Sequence, residues 1–366
     1  MLIFIICSGG ESTVKKIRVF ITVVLYTLSI MYISLTDNHE MHEIAKAITT
    51  DTTFAETTNT ASASRDKPTD TFVTTTSENV PVFFEYGNGR YAFPKEFYSD
   101  LSDIMEKYPH FNNYDISVAY SDIETGFSVM INPDNHYYSA SLIKAPYILH
   151  IYELALENKA NTSDIVVFEE QFRRNGTGVI KDMEPGKEFT IEELIGLSIK
   201  RSDNTAFAML KNVFPENEFV GYMNSIGVDY YCNSGNMICA ESAIDISREI
   251  YNFIEEGNPY SQNLYEYMTS TLHPMIYAGE NSEIARKYGW YAGYFHDMAI
   301  IYDERPYTLA ILTNFEDLEI GETEYQLFKD ISALFYNYSG KLSPSDGNDD
   351  VIIIRTPKDE EKKDNH

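Results

Sequence analysis

Two β-rich stretches stand at opposite ends of a long helical one, and that order constrains the fold more than any single motif. Tyr114 to Tyr120 and Gly126 to Ile131 are runs of β-formers joined by Ser121-Asp122-Ile123-Glu124-Thr125, the pattern of a hairpin. Asn132-Pro133-Asp134 breaks the second run. Helical spacing then dominates, over Tyr147 to Asn158, Thr190 to Ile199, Asn204 to Val213 and Ser242 to Glu255. Strand signals return at Ala285 to Tyr291, Met298 to Tyr302 and Tyr307 to Thr313, before a closing helix over Gln326 to Tyr338. A first helix is expected over Phe97 to Tyr108, with Leu101, Ile104 and Met105 on one face. Strands at both ends can share one antiparallel sheet only if the helical middle is a subdomain inserted between them. The expected class is therefore α/β of the α+β kind, with a cleft between sheet and helices where ligands can bind.

The flanks read differently. Lys15-Lys16-Ile17-Arg18 precedes Val19 to Leu35, an uncharged apolar run near the lower length limit of a membrane span. The basic residues before it predict an N-terminus inside and the remainder outside. No A-x-A-like site follows Leu35 closely, so an uncleaved anchor is expected ahead of a cleaved signal. Thr49 to Ser77 is Thr/Ser-rich with little to bury, the composition of a disordered spacer. The expected division is residues 1–40 as anchor or signal, 41–92 as linker, 93–340 as the folded domain and 341–366 as a charged, mobile tail. A net charge of -28 and a pI near 4.5 argue against nucleic acid and anionic lipid surfaces as partners. The cysteines, Cys7, Cys232 and Cys239, form no metal-binding pattern, and no cofactor is expected. Cys232 and Cys239 can form a disulfide outside the cytoplasm, or stay unpaired.

The chemistry starts at Ser141-Leu142-Ile143-Lys144, which opens an apolar run. Residues three apart share a helix face, so Ser141 Oγ and Lys144 Nζ can meet without a positioning loop. The helix start aims free N–H groups at whatever Ser141 attacks. A desolvated lysine can lose its proton near neutral pH and take the proton of the serine. Alone, this pair occurs by chance in most chains. Further along come Ser202-Asp203-Asn204, just before a helix, and Lys287-Tyr288-Gly289-Trp290, on an expected strand. Read singly, the first of these is a helix cap and the second an ordinary edge strand.

Together, in this order, the motifs resemble those of the class A β-lactamase family, within the penicillin-recognising active-site-serine hydrolases. Ile116-Ser117-Val118-Ala119-Tyr120 and Thr125-Gly126 resemble its opening hairpin, and Lys287 to Tyr302, including His296-Asp297, its lysine strand and the next. The resemblance spans residues 110–340. It implies Ser141 as nucleophile, Lys144 as base and Ser202 as proton relay. It implies Asn204 as holder of a substrate amide, and Lys287 as a positive charge for a substrate carboxylate that also keeps Lys144 neutral. It implies the backbone amides of Ser141 and Trp290 as oxyanion donors, with Gly289 letting the strand approach closely. The implied substrate is a β-lactam or a cell-wall peptide. Neighbouring readings are a D-alanyl-D-alanine carboxypeptidase or transpeptidase and a non-catalytic cell-wall-binding module.

Two departures stand out. Tyr288 occupies a position where the family carries Thr or Ser, and a phenol there reaches further or narrows the cleft. The deacylating glutamate of the family lacks a clear counterpart. Glu241-Ser242-Ala243-Ile244-Asp245 resembles its context superficially, but Ser242 to Asp245 also reads as a capping box ahead of the apolar stripe Ile246, Ile250, Ile254. Glu241 is accordingly expected at a helix start. The loop Tyr230 to Ala240 looks short and has no glutamate. Slow deacylation is the expected consequence.

Overall fold

The computed structural model describes residues 73–75, 82–86, 91–108, 111, 115–228, 236–315, 320–344 and 351–355. In chain order the strands are β1 (Val73–Thr75), β2 (Val82–Tyr86), β3 (Tyr91–Ala92), β4 (Ile116–Asp122), β5 (Ser128–Ile131), β6 (Tyr137–Tyr138), β7 (Ile165–Val167), β8 (Glu188–Thr190), β9 (Met237–Ile238), β10 (Glu283–Tyr291), β11 (Tyr294–Tyr302), β12 (Tyr307–Thr313), β13 (Ser343–Pro344) and β14 (Val351–Arg355). The α-helices are α1 (Lys95–Lys107), α2 (Lys144–Leu156), α3 (Ile191–Lys200), α4 (Asn204–Val213), α5 (Glu216–Ser225), α6 (Ala240–Glu255), α7 (Ser261–Thr269) and α8 (Glu322–Ser339).

The central sheet runs in the order β1-β2-β14-β5-β4-β12-β11-β10. Its pairings are antiparallel except for β14 beside β5. Strands from the two ends of the domain thus lie side by side, β4 against β12, as expected. The period of two sorts their residues onto two buried faces. Val118, Tyr120, Leu309, Ile311, Ala299 and Ile301 point to the side covered by α1 and α8, among Phe97, Leu101 and Phe335. Ala119, Ala310, Leu312, Met298 and Ile300 point to the helical side, among Ile246 and Ile250 of α6 and Ile148 and Ile151 of α2. Burial on both faces explains why β4 and β12 read as nearly continuous apolar runs rather than alternating ones.

Local signals fix the helix starts. Thr190 Oγ1 accepts from Glu193 N at 3.1 Å while Glu193 Oε2 accepts from Thr190 N at 2.8 Å, a reciprocal cap for α3. Helix α6 differs from expectation. It begins at Ala240, and its cap is the Sγ of Cys239, which accepts from Ser242 N at 3.5 Å. Ser242 is therefore inside the first turn, and the expected capping box from Ser242 to Asp245 is not the helix start. Glu241 is exposed in that first turn, consistent with a helix-start residue. Cys239 is a free thiol; Cys232 lies outside the described residues.

The sheet also departs from the expected boundaries. Residues 351–355, read as charged tail, form β14, with Ile352 and Ile354 fully buried between β2 and β5. The run Val351-Ile352-Ile353-Ile354 is dense in β-branched residues, which the surrounding charges mask in a reading by composition. Strands β1, β2 and β3 lie within residues 41–92, the stretch expected to be linker. Helices α5 and α7 were not expected, because their polar residues dilute the apolar spacing. Val19 to Leu35 lies outside the described residues, among which no helix is long and apolar enough to cross a membrane.

Candidate active site

Ser141 sits on a 3₁₀ turn, Ala140–Ile143, that leads directly into α2. Ala140, just before it, has φ of +47°, a left-handed conformation that costs a residue with a Cβ about 1 kcal/mol and persists only where neighbours enforce it. Those neighbours are identifiable. Strand β6 pairs with β9, and Ser139 N donates to Asn236 O at 2.7 Å. His296, fully buried on β11, contacts Tyr138 O through Nε2 at 2.9 Å and accepts Thr313 N on Nδ1 at 3.0 Å. Acceptance at Nδ1 fixes the proton on Nε2, so the neutral imidazole donates to Tyr138 O. Burial pushes the His296 pKa down to about 4.

Gly289 on the edge strand β10 passes against the same turn. A Cβ built on it would stand 2.7 Å from Ser139 O and 3.2 Å from Leu142 N. Only glycine allows this approach, which brings the β10 backbone alongside Ser141. Trp290, next on the strand, is 45% exposed at the rim, with its ring edge-on to Phe295 at 5.3 Å.

Lys144 enters the first turn of α2 and is 2% exposed. Its Nζ donates to Ser202 O at 2.7 Å, Ser202 Oγ at 3.2 Å and Asn204 Oδ1 at 2.7 Å. The hydrogen bonds of Lys144 therefore run to the S-D-N turn. The expected contact with Ser141 Oγ is not among them, because three acceptors already satisfy the buried ammonium. Burial lowers the Lys144 pKa to about 7, with the charge of Asp203 opposing the shift. Lys287, fully buried on β10, donates to Ser202 Oγ at 3.1 Å and to Tyr288 O at 2.8 Å. Burial, and then the charge of Lys144, push its pKa well below the ordinary lysine range.

The S-D-N turn is held from beneath. Asp203 caps α4 by accepting from Thr205 N and Ala206 N, and its other oxygen accepts from Val179 N and Ile180 N. Ser202 is fully buried with φ of +51°. The segment Asn175-Gly176-Thr177-Gly178 wraps this turn. Thr177 Oγ1 donates to Ser202 O at 2.7 Å, Asn204 N donates to Thr177 O at 3.1 Å, and Asn204 Nδ2 donates to Asn175 O at 2.9 Å. A Cβ on Gly178 would lie 2.3 Å from the Asp203 carboxylate carbon. Neither this segment nor a role for His296 was foreseen. The available signal was a pair of glycines flanking Thr177, which asks for close backbone packing against a partner that sequence spacing does not reveal.

The structure thus joins Lys144 and Lys287 at the Ser202 hydroxyl, with Asn204 bonded to Lys144, Tyr288 over Lys287, Ser141 in the adjoining turn and Gly289 on the strand against that turn. Glu241 belongs to a different element, the exposed start of α6. Chemically, the arrangement offers a serine at a helix start, two buried amines with depressed basicity, and a hydroxyl that can pass protons between them. Among the described residues no cluster of His, Cys, Asp and Glu suits a metal ion.

A family model described as the beta-lactamase enzyme family matches residues 96–339. Among curated proteins no match to the chain was found. Several solved structures share the fold. A β-lactamase from Sphaerobacter thermophilus superposes with a TM-score of 0.58 at 18% identity, over 67% of this chain and 98% of its own. An acyl-enzyme complex of a PBP-A mutant with penicillin G gives 0.57 at 16% identity, over 66% of this chain and 95% of its own. A β-lactamase from Chitinophaga pinensis gives 0.58 at 15%, over 66% and 99%.

Proposed function

The chain belongs to the beta-lactamase enzyme family, and from that premise we propose that it is a serine hydrolase working through an acyl-Ser141 intermediate. The observation that carries the reading is the shared hydrogen bonding of Ser202 Oγ to two buried lysines beside the Ser141 turn. A pKa of about 7 for Lys144 leaves a usable fraction of neutral amine near neutral pH. A neutral amine has two N–H groups and one lone pair, so losing its proton releases one of the three contacts of Lys144 and leaves a base for the Ser141 proton. Ser141 Oγ then bonds to the acyl carbon, and the negative charge moves to the carbonyl oxygen. The N–H groups of Ser141 and Trp290 are the donors proposed for that oxygen, a role supported by the close passage of Gly289. Ser202 passes the proton from Lys144 to the leaving nitrogen, and the C–N bond breaks.

The family implies a β-lactam amide as the bond attacked. The apolar run Val19 to Leu35 supports an anchored, extracytoplasmic setting on sequence grounds alone. The test is prolonged incubation of the purified protein with a penicillin, followed by digestion and mass spectrometry. One acyl group on the Ser141 peptide, missing in Ser141→Ala, is the expected result. Labelling elsewhere, or none with any acyl donor, overturns the proposal.

A further inference from the structure

Both amines of the site have their donors committed. Lys144 spends three on Ser202 O, Ser202 Oγ and Asn204 Oδ1. Lys287 spends two on Ser202 Oγ and Tyr288 O, and the ring of Tyr288 lies over the ammonium, 4.1 Å from Nζ to the centroid. Two hydrogen bonds and one aromatic face complete the surroundings of Nζ. Lys287 is 0% exposed, and Tyr288 is itself only 3% exposed. The Tyr288 ring is backed by the edge of His273, at 5.4 Å. Arg286, the preceding residue on β10, is already engaged: its Nη1 donates to Ile276 O and stands 4.0 Å from the Asp297 carboxylate.

We propose that Tyr288 closes Lys287 to anionic ligands, so that a carboxylate beside the scissile bond gains no ionic partner there and a neutral amide or ester acylates Ser141 at least as fast as the corresponding acid. This deepens the reading of the site as an acyl-serine hydrolase and rests on it. A carboxylate arriving next to the scissile nitrogen would have to displace the Tyr288 ring, or lose its water without gaining an ionic partner. A neutral group has neither cost. Lys287 then serves Ser202 and not the substrate.

The test compares a chromogenic cephalosporin, a free acid, with its neutral methyl ester, reading the acylation rate constant of Ser141 by stopped flow and intact-protein mass spectrometry. In the unaltered protein the ester is expected to acylate at least as fast as the acid. In Tyr288→Thr the small hydroxyl uncovers Lys287, and the acid-to-ester ratio should rise about tenfold or more, the gain of one charge-assisted hydrogen bond. Tyr288→Phe keeps the ring and should keep the ratio of the unaltered protein, which separates the covering ring from the phenol oxygen. An unaltered protein that prefers the acid tenfold, or a ratio that Tyr288→Thr leaves unchanged, overturns the inference while leaving acyl-Ser141 intact. No adduct at Ser141 with either compound removes the underlying reading instead.

Discussion

Lys144 and Lys287 aim their amines at one atom, the Oγ of Ser202, from 3.2 and 3.1 Å. Two cations do not share an acceptor in a buried site without cost. Desolvation and mutual repulsion both favour the neutral form, and Ser202 is then a donor to whichever amine has lost its proton. The pair is best regarded as one titrating unit joined by a hydroxyl.

That unit fixes the pH dependence of acylation. The base form of Lys144 is the active one, so the rate should rise with pH through about 7 and level off above it. Lys144→Ala should lower the acylation rate by about a hundredfold or more and abolish the ascending limb. Rates of adduct formation between pH 5 and 9 provide the check. A limb that persists in Lys144→Ala assigns the base to another group.

Gly289→Ala tests the approach of β10 to the nucleophile turn. The new methyl would stand 2.7 Å from Ser139 O, a backbone atom that no rotamer change can move aside. The strand must retreat, at a cost of about 1–3 kcal/mol. For a domain of this size that is roughly 2–10 °C in Tm. Acylation should fall by about a hundredfold, because the Trp290 amide retreats with the strand and one oxyanion donor is worth about that much. Differential scanning fluorimetry and labelling kinetics measure the two effects separately. Acylation at the normal rate would mean that the close contact has no part in catalysis.

His296 makes a prediction about stability. Its pKa falls from 6.5 to about 4 on folding. Between those values the unfolded chain binds a proton on this ring and the folded one does not. Stability therefore falls as pH drops from about 6.5 to 4 and levels off below, by about 3 kcal/mol from this group alone. Urea midpoints from pH 7.5 to 4 should show the slope, and His296→Asn should show less of it. The ring should also stay neutral in an NMR titration above pH 5. A normal titration near 6.5 would remove the argument.

The sequence made the sharing of one sheet by strands from both ends of the domain, and the motif turns, legible because each rests on local rules. Apolar runs mark β4, β11 and β12, and Asp203 sits where an N-cap belongs. What escaped it is pairing at a distance. Thr177 and Gly178 have no motif of their own, and their importance appears only when Ser202 and Asp203 are folded onto them. The same holds for Val351–Arg355, whose strand character needed a free edge on β5 to be realised. Tyr288 was visible as a departure, but its cover over Lys287 depends on the two side chains curling around an edge strand, which the period of two does not predict.

The acyl-enzyme should be long-lived. Deacylation needs a water held against the ester and a group to accept its proton. Asp203, the carboxylate of the S-D-N turn, is committed to four backbone amides, which fill its acceptor positions. Glu241 sits exposed in the first turn of α6, past the strand pairing of β6 with β9, as a helix-start residue whose charge favours the N-terminal end of its helix. Lys144 emerges from acylation with the proton of Ser141 until Ser202 relays it away. A water step without general-base help is slower by roughly a hundred to ten thousand times. Stopped-flow turnover of the faster of the two cephalosporin forms should show a burst of about one equivalent per enzyme, then a slow steady rate. Glu241→Gln should leave that steady rate unchanged. Rapid linear turnover that collapses in Glu241→Gln would show instead that this glutamate reaches the ester, and that the helix start is part of the deacylation machinery.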